Sequence, residues 1–450
     1  MILAATGFMT ACTALDTPEP DTPVLPDVFS TDTETPLPPV NWWQSFDDAE
    51  LDRRVEIALG GNYSLQAAAA RVRQSLALLG SARSDYYPTL DATVGRERNW
   101  NGDDSVANSW SAGLSTRYEL DLWGNIRAAA QQSEFTLAAS GAAYRVLANT
   151  VAGQITSSWL GLRLENENLQ LLQQQQQRLQ TALAVIEGRQ RRGQAALTDV
   201  LQQQQLLETN HIDLLASQAR RDIYRQELAL WSGEGVSSLD DDSLNALAPL
   251  PELGSTATAV PLQALQARPD VQEAFYRLQA ASAGVAAAVA NRYPRLTLTA
   301  SYQGEDQQLS NVFDNWMANL AGSLVLPLLD GGQRRAEVRR QRALEDEALA
   351  DYTQTLLEAA QEVQEALVLE DQYAQTLQRL SEQLDLARRT LTLAESYYRR
   401  GQFSFLELVN AQQELLTLES RYLDIRWSRV QARIQLYKAV SHGQFGEQNS

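Results

Sequence analysis

The sequence predicts a mixed α/β membrane fold built twice over. Each half should carry one β-hairpin that is apolar on a single face and one very long helical hairpin that packs as a coiled coil. Three observations predict it. The chain repeats itself at a nearly constant offset, two stretches in each half alternate strictly between apolar and polar residues, and the longest stretches keep apolar residues seven apart.

The repeat shows first in "RRGQAALTDVLQQQQLLE" (Arg191–Glu208) and "RRGQFSFLELVNAQQELL" (Arg399–Leu416), 208 residues apart. At an offset of 206, Leu59–Thr93 lies over Leu265–Thr299, and Tyr87-Pro88 lands on Tyr293-Pro294. At 207, "LWGNIR" (Leu122–Arg127) lies over "LDGGQR" (Leu329–Arg334). An offset that drifts by two residues over more than a hundred marks an internal duplication, with copies far longer than a solenoid repeat of about 20–50 residues. The copies span residues 41–250 and 251–443, joined by "SSLDDDSLNALAPLPELGSTATAVP" and followed by a tail, 444–450.

Each copy opens with a helix, Asp47–Ser84 in the first, rich in Ala, Leu, Arg and Gln. Tyr87-Pro88 stops it, because a residue before Pro avoids the helical region. The period then changes to two, over residues 88–123. In "SWSAGLSTRYELDLW", Trp110, Ala112, Leu114, Thr116, Tyr118, Leu120 and Leu122 share one face, while Ser111, Gly113, Ser115, Arg117, Glu119 and Asp121 share the other. Copy two, over 294–329, sets Trp316, Ala318, Leu320, Leu324, Leu326 and Leu328 against Asn315, Asn319 and Ser323. A partner strand precedes each, with Leu90, Ala92 and Val94 on one side in the first copy and Leu296, Leu298, Ala300 and Tyr302 in the second. Loops of Asn, Asp, Gly and Ser make each pair a hairpin.

A soluble sandwich would need a second apolar sheet to cover this face, and four strands offer none. Lipid is the other partner available: strands of about 9–11 residues with aromatic ends suit a transmembrane barrel. Four strands cannot close a barrel, and open backbone edges cannot be left in hydrocarbon. The chain must therefore oligomerise. Two copies would give a minimal filled barrel and three a twelve-stranded one with a lumen; the strands do not choose between them.

After "LWG" and "LDGG" the helical period returns. It runs from Asn125 to about Gly188 and from Gln333 to about Arg399, and a stretch of some 60 residues is about 95 Å of helix. Leu349, Leu356, Val363, Leu377, Leu384, Leu391 and Tyr398 sit on one seven-residue grid, broken at Glu370; Val409, Leu416, Leu423, Val430 and Tyr437 keep the grid on the returning helix. Copy one has two such rows, Ile155, Leu162, Leu169 and Leu183, and Val151, Leu172, Leu179 and Ile186. These are helical hairpins over about 125–231 and 333–439, with Gly193 and Gly401 as the left-handed residues of their tips. The Gln173–Gln177 and Gln202–Gln205 runs lie in phase with the heptads and read as solvated helix faces.

Composition limits the function. With 56 acidic against 37 basic residues the net charge is −19, the opposite of a nucleic-acid binder. Two histidines, His211 and His442, and one Cys exclude a His-rich metal site and an internal disulfide. No apolar run reaches the ~18 residues of a transmembrane helix. "MILAATGFMTAC" reads as a secretory signal remnant, residues 1–11, ending at Cys12, without the charged start usual in such a signal. "MTAC" is similar to a lipobox, with Met9 where Leu is usual, and residues 12–40 form a Pro/Thr/Asp-rich tether.

Taken in order, the lipobox-like Cys12, the tether, "NWWQSFDDAELDRRVEIAL", the paired Tyr-Pro stops, "YELDLWGNIR" and the twin "RRGQ" tips resemble the outer-membrane factor family. These are TolC-type efflux channels, here their lipoprotein branch in resistance-nodulation-division and nodulation-type efflux systems. The resemblance covers Cys12 to about Gly443. It implies a homotrimer with a twelve-stranded outer-membrane barrel continuous with a periplasmic α-helical barrel. It also implies a lipid, palmitate among its acyl chains, on Cys12 and no other cofactor. The implied partners are a periplasmic adaptor (a membrane fusion protein) and an inner-membrane resistance-nodulation-division pump that supplies the driving energy. The tips, Arg192-Gly193-Gln194 and Arg400-Gly401-Gln402, would meet the adaptor. The family closes its periplasmic end like an iris. Thr198 and Asp199 match its inter-hairpin ties and Tyr398 their tyrosine partner, Leu406 its apolar constriction, and Glu407 and Asn410 its acidic rings. Two departures stand out: Phe403 replaces an Arg that often joins the lock, and Asn410 an inner Asp.

Three other readings compete. For an enzyme, the sequence offers no P-loop, no GxSxG, and no paired Cys or HExxH metal spacing, and "DGGQRR" reads as a strand-to-helix turn. A structural coiled coil bridging envelope layers explains the heptads but not the alternating strands. A type I protein-secretion channel is the alternative within the channels to efflux of drugs, toxic compounds or metal ions.

Overall fold

The computed structural model describes residues 41–100, 106–235, 247–254 and 262–441. Cys12, the signal and tether (1–40) and the tail (444–450) lie outside the described residues. After a 3-10 turn (Trp42–Phe46), copy one runs α1 (Ala49–Gly61), α2 (Tyr63–Ser84), β1 (Thr89–Trp100), β2 (Val106–Leu120), α3 (Asn125–Arg191) and α4 (Leu197–Ser232). Copy two runs α5 (Leu262–Gln266), α6 (Pro269–Ala290), β3 (Arg295–Asp306), β4 (Trp316–Val325), α7 (Gln333–Arg399) and α8 (Phe405–Val440). The two long helices α3 and α7 each have 67 residues, about 100 Å of helix.

The helix expected over Asp47–Ser84 is broken at Asn62, after Gly60-Gly61. The Asn62 carboxamide explains the break: its oxygen accepts from the Ser64 and Leu65 N–H groups, capping α2, and its nitrogen donates to the Trp231 carbonyl at 2.9 Å. Gly61 is required at the same place. A Cβ there would lie 2.6 Å from the Ser232 carbonyl oxygen, so the end of α1 crosses the end of α4 backbone against backbone.

One unit of the chain comprises, among the described residues, 68–100, 106–143 and 270–355. Its four strands form a single antiparallel sheet in the order β1-β2-β3-β4, so the two copies join through β2 and β3. The register places the residues expected to be apolar in rows on one face. Leu90, Thr116, Ala300 and Leu320 are successive cross-strand partners, as are Ala92, Leu114, Tyr302 and Ala318. Leu122 falls past the end of β2, and Leu326 and Leu328 past that of β4, where Pro327 removes a ladder donor. β1 and β4 are edges in the chain. The turns into the long helices are capped by acids: Asp121 accepts from the N–H groups of Ile126 and Arg127, and Asp330 from those of Gly332 and Arg334. In "DGGQRR" the helix-start donors are thus taken up by Asp330.

The other unit holds, among the described residues, 41–67, 144–235, 247–254, 262–269 and 356–441. Trp42, Trp43 and Phe46 pack with Leu51, Val55, Ile155, Trp159, Leu162, Val430 and Ile434 in its largest core. The predicted heptad residues Val151, Ile155, Leu162, Leu169, Leu172, Leu179 and Ile186 are all buried. The glutamine runs follow expectation except at Gln175 and Gln203, which are buried. Gln175 donates to the Glu419 carboxylate at 2.9 Å and Gln203 to the Leu179 carbonyl at 3.3 Å, which offsets the cost of burying an amide.

Asp48 caps α1 and ties it to α3. It accepts from the Glu50 and Leu51 N–H groups, from the Trp159 indole at 2.8 Å and from Arg163. Burial works against its charge, but these donors outweigh burial and hold the carboxyl below its ordinary value of 3.8. A lowered folded-state pKa contributes stability that is present above the unfolded value and lost as pH falls through the folded one. Asp48→Asn should therefore lower stability at pH 7 by about 1–2 kcal/mol and flatten the acid limb of a urea-midpoint-versus-pH curve; an unchanged acid limb would contradict the assignment.

Candidate functional site: the paired hairpin tips

Both tips end their long helix in the same way. The Gln194 N–H bonds the Arg189 carbonyl at 2.9 Å and the Gly193 N–H the Gln190 carbonyl at 2.9 Å; the Gln402 N–H bonds Tyr397 at 2.9 Å and the Gly401 N–H bonds Tyr398 at 3.0 Å. Gly193 and Gly401 have φ of +69° and +73°, so both are left-handed, as the repeated "RRGQ" predicts. That paired 6→1 and 5→2 bonding is a Schellman stop, and it leaves Arg192, Gln194, Arg400 and Gln402 exposed at the two turns.

The returning helices are capped by acids. The Glu407 carboxylate accepts from the Ser404 N–H at 2.6 Å, and the Ser404 hydroxyl accepts from the Glu407 N–H at 3.4 Å, a full capping box. Asp199 makes half of one, accepting from the Ala196 N–H at 3.1 Å, since an alanine offers no side-chain acceptor in return. Thr198, Leu406 and Asn410 are exposed.

The two tips pack on each other within one chain. Ile186 and Val200 from the first meet Ala394, Phe405, Leu408 and Val409 from the second, with Tyr398 and Phe403 against this cluster. The Tyr398 ring meets Phe405 edge-on at 5.7 Å between centres, and the Arg189 guanidinium lies 4.7 Å above it. Phe403 packs on Tyr397 at 5.0 Å. The second tip is therefore aromatic and apolar, with Phe403 packed in the position where the family often carries an Arg. A groove of about 720 Å3 opens beside this cluster, between Val185 and Arg189 on α3 and Glu395, Tyr398 and Phe405 on the second hairpin.

The predicted residues fall into two groups. Tyr398 joins Arg189 and Phe405 in the packed cluster. Asp199 and Glu407 serve their own turns, Glu407 with Ser404, and no hydrogen bond links Asp199 or Thr198 to Tyr398 among the described residues. Sequence reading missed Arg189, which lies three residues after Ile186 and four before Gly193, off both heptad rows of α3.

It also missed a charged layer higher on the hairpins. Arg426, Arg429 and Arg433, spaced three and four apart on one face of α8, grip the segment between the copies. Arg426 donates to the Leu250 carbonyl at 2.9 Å and to Glu167 at 2.5 Å, and Glu167 accepts from the Leu250 N–H at 3.2 Å. Arg429 and Arg433 both donate to the Gly254 carbonyl, at 3.1 and 2.8 Å, and both to Glu370, at 3.0 and 2.6 Å. From α3, Arg163 donates to the Ala248 and Pro249 carbonyls. The break in the heptads at Glu370 is thus the anchor of this layer.

A family model for "Outer membrane efflux protein" matches residues 55–234 and 260–442. The pyoverdine export outer membrane protein OpmQ of Pseudomonas aeruginosa is 31% identical over 421 residues, covering 89% of this chain and 87% of that protein. The probable outer membrane lipoprotein SilC of Salmonella typhimurium is 26% identical over 442 residues, covering 94% of each. Among solved structures, the Campylobacter jejuni CmeC outer membrane channel superposes with a TM-score of 0.85 at 22% identity over 96% of both chains, which shows the shared fold of helices and a four-stranded sheet.

Proposed function

Since this chain belongs to the outer membrane efflux protein family, we propose that it is the passive exit duct of a tripartite efflux system in the outer membrane of a Gram-negative bacterium. The observation that carries the reading is the sheet: four strands, one apolar face, and two open edges. In lipid each edge needs a partner. Three copies, with β4 of one beside β1 of the next, supply it and enclose a twelve-stranded lumen. The long helices then extend into the periplasm, where an adaptor meets the turns at Arg192–Gln194 and Arg400–Gln402, and a resistance-nodulation-division pump provides the energy. The cargo class is small molecules.

The tips form the gate in this reading. Thr198 and Asp199 of one hairpin face Tyr398 of a neighbouring one, Leu406 narrows the passage, and Glu407 and Asn410 ring it. Three Glu407 carboxylates near the axis favour cations, and a neutral Asn410 ring weakens that preference inside. The test is planar-bilayer conductance of Asp199→Ala with Tyr398→Phe, beside Asp199→Asn, which keeps an acceptor for the Ala196 N–H. Conductance should rise several-fold in the double variant, and cells carrying it should become sensitive to vancomycin. Wild-type conductance and sensitivity would remove these residues from the gate.

A lipid on Cys12 completes the proposal; SilC is one relative described as a probable outer membrane lipoprotein. Intact mass of the mature protein should show a triacylated N-terminal Cys12; a mature N-terminus elsewhere would exclude it.

A further inference from the structure

The apolar face of the sheet changes character at the hairpin-turn end. On β1 the residues of that face run Leu90, Ala92, Val94, and then Arg96, Arg98 and Trp100. A chain with net charge −19 therefore sets two exposed cations on the face otherwise given to apolar side chains. Each guanidinium lies over an indole, Arg96 at 5.2 Å from the Trp110 ring centre and Arg98 at 5.3 Å from that of Trp100. Neither makes an ion pair with a carboxylate among the described residues. The acid on the Arg96 row, Asp306, is the cross-strand partner of Trp110 and accepts from the Gln308 N–H at 2.9 Å in its own turn. Glu97 and Glu305 belong to the opposite face. Stacked on an indole, a guanidinium is held in place with its N–H edge free to donate to an anion.

Below this pair the same face is hollow. A depression of about 450 Å3 lies between Leu90, Leu114, Tyr302 and Leu320, floored by the small side chains Thr116 and Ala300. Four residues separate Arg96 from Ala92, the row of Leu114 and Tyr302, or about 13 Å along the strand. Tyr302 stacks on Trp316 at 5.1 Å between the two levels. Cations at the rim with an apolar slot beneath match one ligand class: an amphiphile with anionic head and long acyl chain. The hairpin turns are at the end of the sheet opposite the helices. With the helices periplasmic, that end meets the outer leaflet, whose characteristic anionic lipids are glycolipids bearing phosphomonoesters.

We propose that Arg96 and Arg98, held on Trp110 and Trp100, clamp the phosphates of an outer-leaflet phosphorylated glycolipid, one acyl chain of which lies in the depression floored by Thr116 and Ala300. Planar guanidinium donors suit phosphate oxygens bidentately. The site would fix one lipid per protomer against the barrel wall. The inference rests on the lipid-facing reading of this sheet.

The experiment uses the purified full chain and fluorescent lipid A, with dephosphorylated lipid A and phosphatidylglycerol as the other arms. Wild-type protein should bind lipid A about tenfold more tightly than either. Arg96→Gln with Arg98→Gln should abolish that preference, Arg96→Lys with Arg98→Lys should keep part of it, and Ala300→Phe should weaken binding of lipid A by filling the slot. Equal binding of dephosphorylated lipid A, or an unaltered preference in the Gln pair, overturns the clamp; equal binding of phosphatidylglycerol overturns the glycolipid assignment. Flotation with phosphatidylethanolamine vesicles separates the two levels. Protein that floats but shows no phosphate preference fails this inference alone, whereas protein that does not float fails the lipid-facing reading and this inference with it.

Discussion

Replacing Glu370 by Ala is expected to cost about 3–5 kcal/mol of stability, among the largest effects of any single substitution in the helical hairpins. Glu370 is 6% exposed and Arg433 4%, so the substitution leaves one guanidinium buried without its counter-charge and a second, Arg429, half-buried. Both would retain the Gly254 carbonyl, which carries only a partial charge. The measurement is a urea titration in detergent at fixed protein concentration, followed by helical circular dichroism. Replacing all three by apolar residues, Glu370→Leu with Arg429→Met and Arg433→Met, should recover most of the loss, because the desolvation of three charges disappears together with their attraction. A loss below about 1 kcal/mol for Glu370→Ala would mean that water reaches the pair and the layer is not dry.

This charged layer also marks where the sequence stops being legible. A heptad grid reports which side of a helix turns inward, and the buried rows at Val151, Leu172, Leu179 and Ile186 followed it. It cannot report which inward position carries a charge, because the cost of burial is met by partners far along the chain. Glu370 looked like a fault in the pattern until Arg433, 63 residues later, and Gly254, on the segment between the copies, were brought to it. Gln175 and Gln203 were misread for the same reason: their partners, Glu419 and the Leu179 carbonyl, lie on other helices or an earlier turn of the hairpin. Local chemistry was readable. The left-handed glycines at both tips and the strand faces from Leu90 to Leu324 came from spacing alone. The break at Asn62 was equally local, since Gly-Gly-Asn is a stop followed by a cap, and it went unread because the flanking Ala-rich sequence suits an unbroken helix.

The strand faces allow a sharper test than any at the tips, because adjacent residues should give opposite results. Leu320 is 80% exposed on the apolar face, in the middle of β4, and Asn319 next to it points to the other face. If the apolar face meets hydrocarbon, Leu320→Arg places a charge near mid-bilayer and should cost about 2–4 kcal/mol. The protein should then fail to insert, or should float with vesicles in a much smaller fraction. In the proposed trimer, Asn319→Arg places the same charge in the lumen, where water reaches it. That variant should insert normally and shift the reversal potential toward anion preference, since three copies add three positive charges around the passage. The pair separates three arrangements. A sheet covered by protein would reject Arg at Leu320 but show no conductance in either variant. A soluble sheet would tolerate both, because an exposed Leu on a watered face loses little by becoming Arg. Only a lipid-facing sheet closed around a lumen makes Leu320→Arg fatal to insertion and Asn319→Arg a change in ion selectivity.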